Sequence, residues 1–203
     1  KDFEDEAKIE NFYLPVVHDC LKKTLGAEEA CIFDYMVRRR EPAFPYQPKS
    51  RDNATQPALS AYIDYTTDEI SGRVSKYFKD KAAVYASRHY QIVNVWKPLC
   101  GPLRDYPMAY CDAKTMDPSM DLLTVDEVFP TVANEVYQVL YNPKHEWYYM
   151  PDQGSDEVAI FAGYDSERGQ AVAVPHCSFD LGDASSGEQR ESIEVRASVF
   201  YGD

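Results

Sequence analysis

The chain has 203 residues, 44% of them hydrophobic, enough to bury a sizeable core, and residues 1–203 are expected to form one domain. Its 34 Asp and Glu against 21 Lys and Arg give a formal charge of -13, and a surface that acidic repels phosphate backbones and anionic lipid heads, so neither nucleic acid nor membrane is an expected partner. No apolar run approaches the ~20 residues that span a bilayer, and five cysteines, an odd number without C-x-x-C spacing, fit a reducing, cytoplasmic setting.

The chain opens on Lys1 rather than Met, so a native N-terminal segment is expected to precede it. From Asp5 to Leu25 the residues Phe12, Leu14, Val16, Val17, Leu21 and Leu25 recur at helical intervals, and Gly26 supplies a C-terminal stop. "CIFDYMVRRR" (31–40) reads as a strand whose basic end is solvated, followed by a Pro-punctuated loop that carries a lone glycosylation sequon at Asn53. "ALSAYIDYT" reads as a short strand ending near Thr66, and "TTDEISGRVSKYF" as a helix opened by a capping box from Thr66 to Glu69.

From His89 the hydrophobic period becomes two. "HYQIVNVWKPL", "YPMAYCDA", "EVYQVLYN", "EWYYM", "EVAIFAGYDS", "AVAVPHCSFD" and "SIEVRASVFY" are short, rich in β-branched and aromatic residues, and separated by Pro, Gly, Asn or Asp. That pattern predicts a mainly β, antiparallel sandwich or barrel with flanking helices. "DLGDASSGEQR" (180–190) reads as a loop.

The chemistry-bearing residues follow one another along this β part. G-x-S-x-G, G-x-x-x-x-G-K-[ST] and G-x-G-x-x-G motifs are all absent from the sequence, which removes the common hydrolase, kinase and dinucleotide readings. What remains is Asp64 on the short strand, His176 near the end of "AVAVPHCSF", and Arg190 and Ser192 in "RES". A carboxylate, a distant histidine and an Arg-x-Ser one strand later is the layout of iron(II)/2-oxoglutarate oxygenases. There a facial triad leaves metal positions open for a keto acid and oxygen, and a guanidinium with a neighbouring hydroxyl clamps the far carboxylate of the keto acid. Ser192, Glu194 and Arg196 share a strand face with Arg190, which makes Arg196 the reserve for the clamp, and Asn94 is placed toward the pocket beside a packing Trp96.

"CIFDYMVRRR", "YIDYT", "QIVNVWKPLCGPLRDYPMAYCDA", "VYQVLYNPKHEWYYMPDQGSDEVAIFAGYDS", "VPHCSFD" and "RESIEVRASVFY", in this order, resemble the fungal AsaB-type hydroxylase/desaturase family, which is related to cephamycin-pathway hydroxylase-like proteins. The resemblance runs from about Asp2 to Tyr201 and implies a double-stranded β-helix (jelly roll, cupin-like), Fe(II) and 2-oxoglutarate as cofactors, and a small secondary metabolite as substrate. By position, the His-x-Asp of the family falls on Tyr62-Ile63-Asp64, its distal histidine on His176, and its Arg-x-Ser on Arg190 and Ser192. Position 62 therefore departs from the pattern. A neutral phenol with a pKa near ~10 is a poor iron(II) ligand, so Asp64 and His176 are expected to hold the metal, with Tyr62 occupying the third ligand position or leaving it to water or His145. The alternative keeps the pocket and drops the redox chemistry: a metal-independent isomerase, cyclase, lyase or binding protein in which Tyr62 is a hydrogen-bond donor or general acid.

Overall fold

The computed structural model describes residues 2–41, 56–78, 87–128, 133–182, 185 and 187–202. The sequon at Asn53 and most of the Pro-punctuated loop lie outside the described residues.

The first helical run is continuous but not uniform. Glu6–Lys8 leads into a π turn at Ile9–Tyr13 and then helix α1, Leu14–Leu25. Pro15 has no amide hydrogen to give the preceding turn, and the wider π spacing sits just where that bond is missing. Gly26 ends α1 in the left-handed region, at φ 67° and ψ 23°, where a Cβ would be strained.

The strands are β1 (Glu29–Arg39), β2 (Tyr62–Ile63), β3 (Tyr90–Pro98), β4 (Met108–Cys111), β5 (Leu122–Val128), β6 (Ala133–Val139), β7 (Trp147–Tyr149), β8 (Ala159–Asp165), β9 (His176–Ser178) and β10 (Glu191–Phe200). Helix α2, Thr67–Phe78, separates β2 from β3. A four-stranded sheet runs β1-β10-β3-β8 and a six-stranded sheet β5-β6-β2-β9-β4-β7, with every pairing antiparallel. The two sheets meet face to face, Tyr110 and Phe161 packing ring to ring across the gap at 5.1 Å, in keeping with the expected double-stranded β-helix.

Strand β10 explains why the site is where it is. Its residues from Ser192 to Phe200 are all buried, yet only one parity is apolar throughout. Ile193, Val195, Ala197 and Val199 join Val93 and Val95 of β3 against Val17 and Leu21 of α1. The other parity, Ser192, Glu194, Arg196 and Ser198, faces the second sheet. A polar strand face buried between two sheets must be hydrogen-bonded or charge-paired to be tolerated.

Several expectations are corrected here. The basic end of β1 is not a solvated strand end: Arg38 donates to the Gln56 carbonyl, Arg39 to the Phe3 carbonyl, and Arg40 to Asp105 at 2.5 Å. Only half of the capping box forms. Thr66 Oγ1 accepts from the Glu69 amide, but Glu69 turns along the helix to Arg73, 2.9 Å away. The strand expected over "AVAVPHCSFD" begins only at His176, because Pro175 cannot donate to a ladder and residues 170–172 form a 3-10 turn. Strand β5 was not anticipated, since Asp126 and Glu127 break the alternation of an exposed edge.

Candidate metal and keto-acid site

Tyr62 and His176 are direct partners across β2 and β9, and their rings lie 4.5 Å apart. Asp64, two residues further on, is turned toward the same face. His176 is fixed by its other nitrogen, Nδ1, 3.1 Å from the Val174 carbonyl, and by Phe161, whose ring is 4.8 Å away. A one-residue bulge at Gly163, where the β3–β8 register slips between Ile92 and Val93, sets Phe161 opposite Asn94.

His176 Nε2 is buried without a hydrogen-bond partner among the described residues. It lies 3.7 Å from Asp64 Oδ2 and 3.7 Å from Glu194 Oε1. The Asn94 amide donates to both of those oxygens at 2.6 Å each. On the far side, Arg196 Nε lies 3.0 Å from Asp64 Oδ1 and Nη2 lies 3.6 Å from Glu194 Oε2, while Nη1 donates to Asp34 at 2.6 Å. Asp34 reaches Arg196 because a bulge in β1 between Ile32 and Asp34 places it directly opposite on β10.

The electrostatics follow from this layout. Burial alone would push the Asp64 carboxyl up, but Arg196, His176 and the Asn94 hydrogen bond outweigh it and hold the group below its ordinary value, as a carboxylate. Burial pushes the Tyr62 phenol well up, with Glu194 and Asp64 adding to the rise, so it stays protonated. Burial pulls the Arg196 guanidinium down, but the Asp64 and Glu194 charges more than restore it.

Arg190 lies beside this cluster. Its guanidinium stacks on Trp96 at 5.1 Å, Nε donates to Ser192 Oγ at 3.2 Å, and Nη1 donates to the Tyr106 carbonyl at 2.7 Å and to Ser178. Its backbone amide donates to Asp105 Oδ2, the oxygen that also accepts from Arg40. Burial and the like charge of Arg38 pull it down to about 10, still a cation at neutral pH. Nη2 is left buried with no hydrogen bond among the described residues, as are Tyr110 Oη and Trp96 Nε1. Unfilled donors beside an unfilled imidazole nitrogen and carboxylate oxygens are what a bound anion and a divalent cation would satisfy, so the residues present fit both groups.

The structure thus brings Tyr62, Asp64, His176, Asn94, Arg190, Ser192 and Arg196 together between the two sheets. Ser192 orients Arg190, and Arg196 is occupied by three carboxylates, Asp34, Asp64 and Glu194. His145 does not join them; its Nε2 is held 3.0 Å from Asp121, which also accepts from Asn142, so it anchors a turn. Glu194 was noted in the sequence only as sharing a face. Its signal is a strand whose one parity is Ile193, Val195, Ala197 and Val199 while the other carries charge.

The sequence model of a family described as "Oxidoreductase/YMDC permease-like domain" matches residues 1–200. An alpha-ketoglutarate-dependent dioxygenase, phiK, from a fungal species is 31% identical over 98% of this chain and 73% of its own length. This chain belongs to the fungal iron/2-oxoglutarate-dependent oxygenase family. The family also includes the dioxygenase tstK of Talaromyces stipitatus, 30% identical over 99% of this chain and 73% of the relative. Among solved structures, the iron and alpha-ketoglutarate-dependent endoperoxidase NvfI superposes with a TM-score of 0.84 at 28% identity, covering 98% of this chain and 72% of that one. NvfI therefore shares the two-sheet architecture described above. No helix among the described residues is long and apolar enough to cross a membrane.

Proposed function

We propose that this chain is a non-haem iron(II)/2-oxoglutarate-dependent oxidoreductase of the hydroxylase/desaturase type, acting on a small secondary metabolite, with an atypical metal site at position 62. The observation that carries the reading is His176 Nε2, buried, without a hydrogen bond among the described residues, and 3.7 Å from each of two carboxylate oxygens. Asp64 and His176 would hold the iron. With keto acid and dioxygen, bound iron(II) would supply the oxidation that hydroxylates a C–H bond or converts a C–C single bond to a double bond.

The remaining work falls to residues of the chain. Asn94 fixes the direction of the Asp64 carboxylate. Ser192, Ser178 and the Tyr106 carbonyl hold the Arg190 fork so that Nη2 is presented to the carboxylate of the keto acid. Phe161 and Tyr62 flank the imidazole and keep water from it. The match through residues 1–200 supports one oxygenase domain, and the five free cysteines support a reducing, cytoplasmic setting.

The metal-independent reading draws support from Tyr62 itself, a phenol that burial and two nearby carboxylates keep protonated and able to donate a hydrogen bond. Anaerobic titration with iron(II) and 2-oxoglutarate separates the two. A visible metal-to-keto-acid absorption band is expected, together with oxygen uptake that needs both additives. A folded protein that gives no band at millimolar iron would overturn the oxygenase reading in favour of the metal-independent one.

A further inference from the structure

We infer that Glu194 is the third protein ligand of the metal centre, which makes the site a one-histidine, two-carboxylate triad of Asp64, His176 and Glu194. The inference rests on the metal reading above and names the group that replaces position 62.

Three observations converge on it. The ligand atoms of Asp64, His176 and Glu194 all lie within 4.8 Å of one another, and all three side chains are buried. Metal–oxygen and metal–nitrogen bonds of about 2.0–2.2 Å let two ligands of one ion sit at most about 4.4 Å apart, so the 3.7 Å separations from His176 Nε2 are within reach of a shared ion. Asn94 treats the two carboxylates alike, spending its amide on one oxygen of each, and those are the oxygens that face the imidazole.

The outer oxygens have a different neighbour. Arg196 offers one positive charge to Asp64 Oδ1 and Glu194 Oε2, and Asp34 claims part of it. Two buried carboxylates directed at one imidazole nitrogen share a single guanidinium behind them, and the inner oxygens have only the neutral Asn94 amide as a partner, which leaves the pair short of positive charge. A divalent ion between those oxygens and His176 Nε2 compensates them.

Tyr62 pairs with His176 across β2 and β9 with the two rings 4.5 Å apart, so it lies beside the imidazole as a packing neighbour. Exchanging an imidazole for a carboxylate also changes what the site prefers. An oxygen-rich triad carries two negative charges instead of one and favours harder ions, so manganese(II) should serve as a probe.

The test is an anaerobic manganese(II) titration with 2-oxoglutarate present, following free manganese by electron paramagnetic resonance. Wild type, Asp64→Asn, His176→Ala, Glu194→Gln and Tyr62→Phe are compared, each first melted in chelator to establish that it is folded. Asp64→Asn, His176→Ala and Glu194→Gln should each weaken binding at least about 100-fold, while Tyr62→Phe stays within about twofold; loss of a mere supporting residue typically costs 10–100-fold. Glu194→Gln binding like wild type while Asp64→Asn and His176→Ala lose the ion would overturn the inference and leave the oxygenase reading intact. Loss in Tyr62→Phe with Glu194→Gln unaffected would assign the place to Tyr62 and also overturn it. Failure of wild type to bind manganese(II), iron(II) or cobalt(II) removes the metal reading and this inference together. If Glu194→Gln does not fold, Glu194→Asp with cobalt(II) decides the matter: a shifted visible band supports ligation, and an unchanged band overturns it.

Discussion

At the scale of single residues, the proposed site combines Tyr62, where the pattern has a histidine, with Glu194 as its proposed substitute. If Glu194 stands in for a histidine at 62, Tyr62→His should make Glu194 dispensable. In a double-mutant cycle, Glu194→Gln is expected to cost at least about tenfold less manganese affinity in the Tyr62→His background than alone, because the new imidazole, directly opposite His176, supplies the third ligand. Additive losses would mean the two positions do not serve the same ion. Arg190 has a separate role. Its Nε and Nη1 are spent on Ser192, Ser178 and Tyr106, so only a planar, forked cation keeps its geometry while offering Nη2. Arg190→Lys should weaken 2-oxoglutarate binding roughly 10- to 100-fold, about the worth of one charge-assisted hydrogen bond, with manganese affinity in the absence of keto acid unchanged. Isothermal titration of each ligand separately checks this.

At the scale of elements, β10 is the organising strand, and its two faces call for different tests. On the apolar face, Leu21 of α1 is fully buried against the strand, so Leu21→Ala should cost about 2–5 kcal/mol in denaturant unfolding while leaving the site residues in place. The turn after β6 offers a test in acid. Hydrogen bonds from Asn142, from the Asp117 amide and from His145 hold the Asp121 carboxyl down at about 2. A depressed carboxyl stabilises the fold above its unfolded value near ~4 and loses that contribution as pH falls toward 2. Asp121→Asn should therefore lower the melting temperature at neutral pH, with the gap to wild type closing between pH 4 and pH 2. Much of this scale was legible in the sequence: helix α1 with its Gly26 stop, strand β1, helix α2 and seven strands from Tyr90 onward each follow from periodicity and punctuation. The order Asp64, His176, Arg190, Ser192 was legible too, because motif order survives without coordinates. The role of Glu194 was not, since it depends on which two carboxylate oxygens Asn94 gathers around His176, a contact between strands 100 residues apart in sequence. The partners of Arg38, Arg39 and Arg40 were hidden because distant groups, the Gln56 and Phe3 carbonyls and the Asp105 carboxylate, supply them, whereas the stop that shortens β9 is Pro175, already present in the sequence.

At the scale of the whole molecule, a formal charge of -13 surrounds a buried Arg190 cation, the proposed keto-acid anchor, and a dianionic cosubstrate bound there would cross from one field to the other. The two fields respond differently to salt. Repulsion between the acidic surface and the approaching dianion acts over distances comparable to the Debye length, about 8–10 Å near physiological ionic strength, and is screened away as salt rises. The Arg190 contact is fully buried, so salt reaches it weakly. Raising sodium chloride from about 20 to 200 mM should therefore leave the dissociation constant of 2-oxoglutarate on the manganese-loaded protein unchanged or tighten it by up to about threefold, chiefly through faster association. A surface-exposed basic anchor would give the opposite sign, affinity falling as salt rises. Stopped-flow association at the two salt concentrations separates the cases: a rising on-rate places the barrier in the acidic surface, and a falling on-rate with loss of affinity would mean that the keto acid is held at an exposed cation rather than at the buried Arg190.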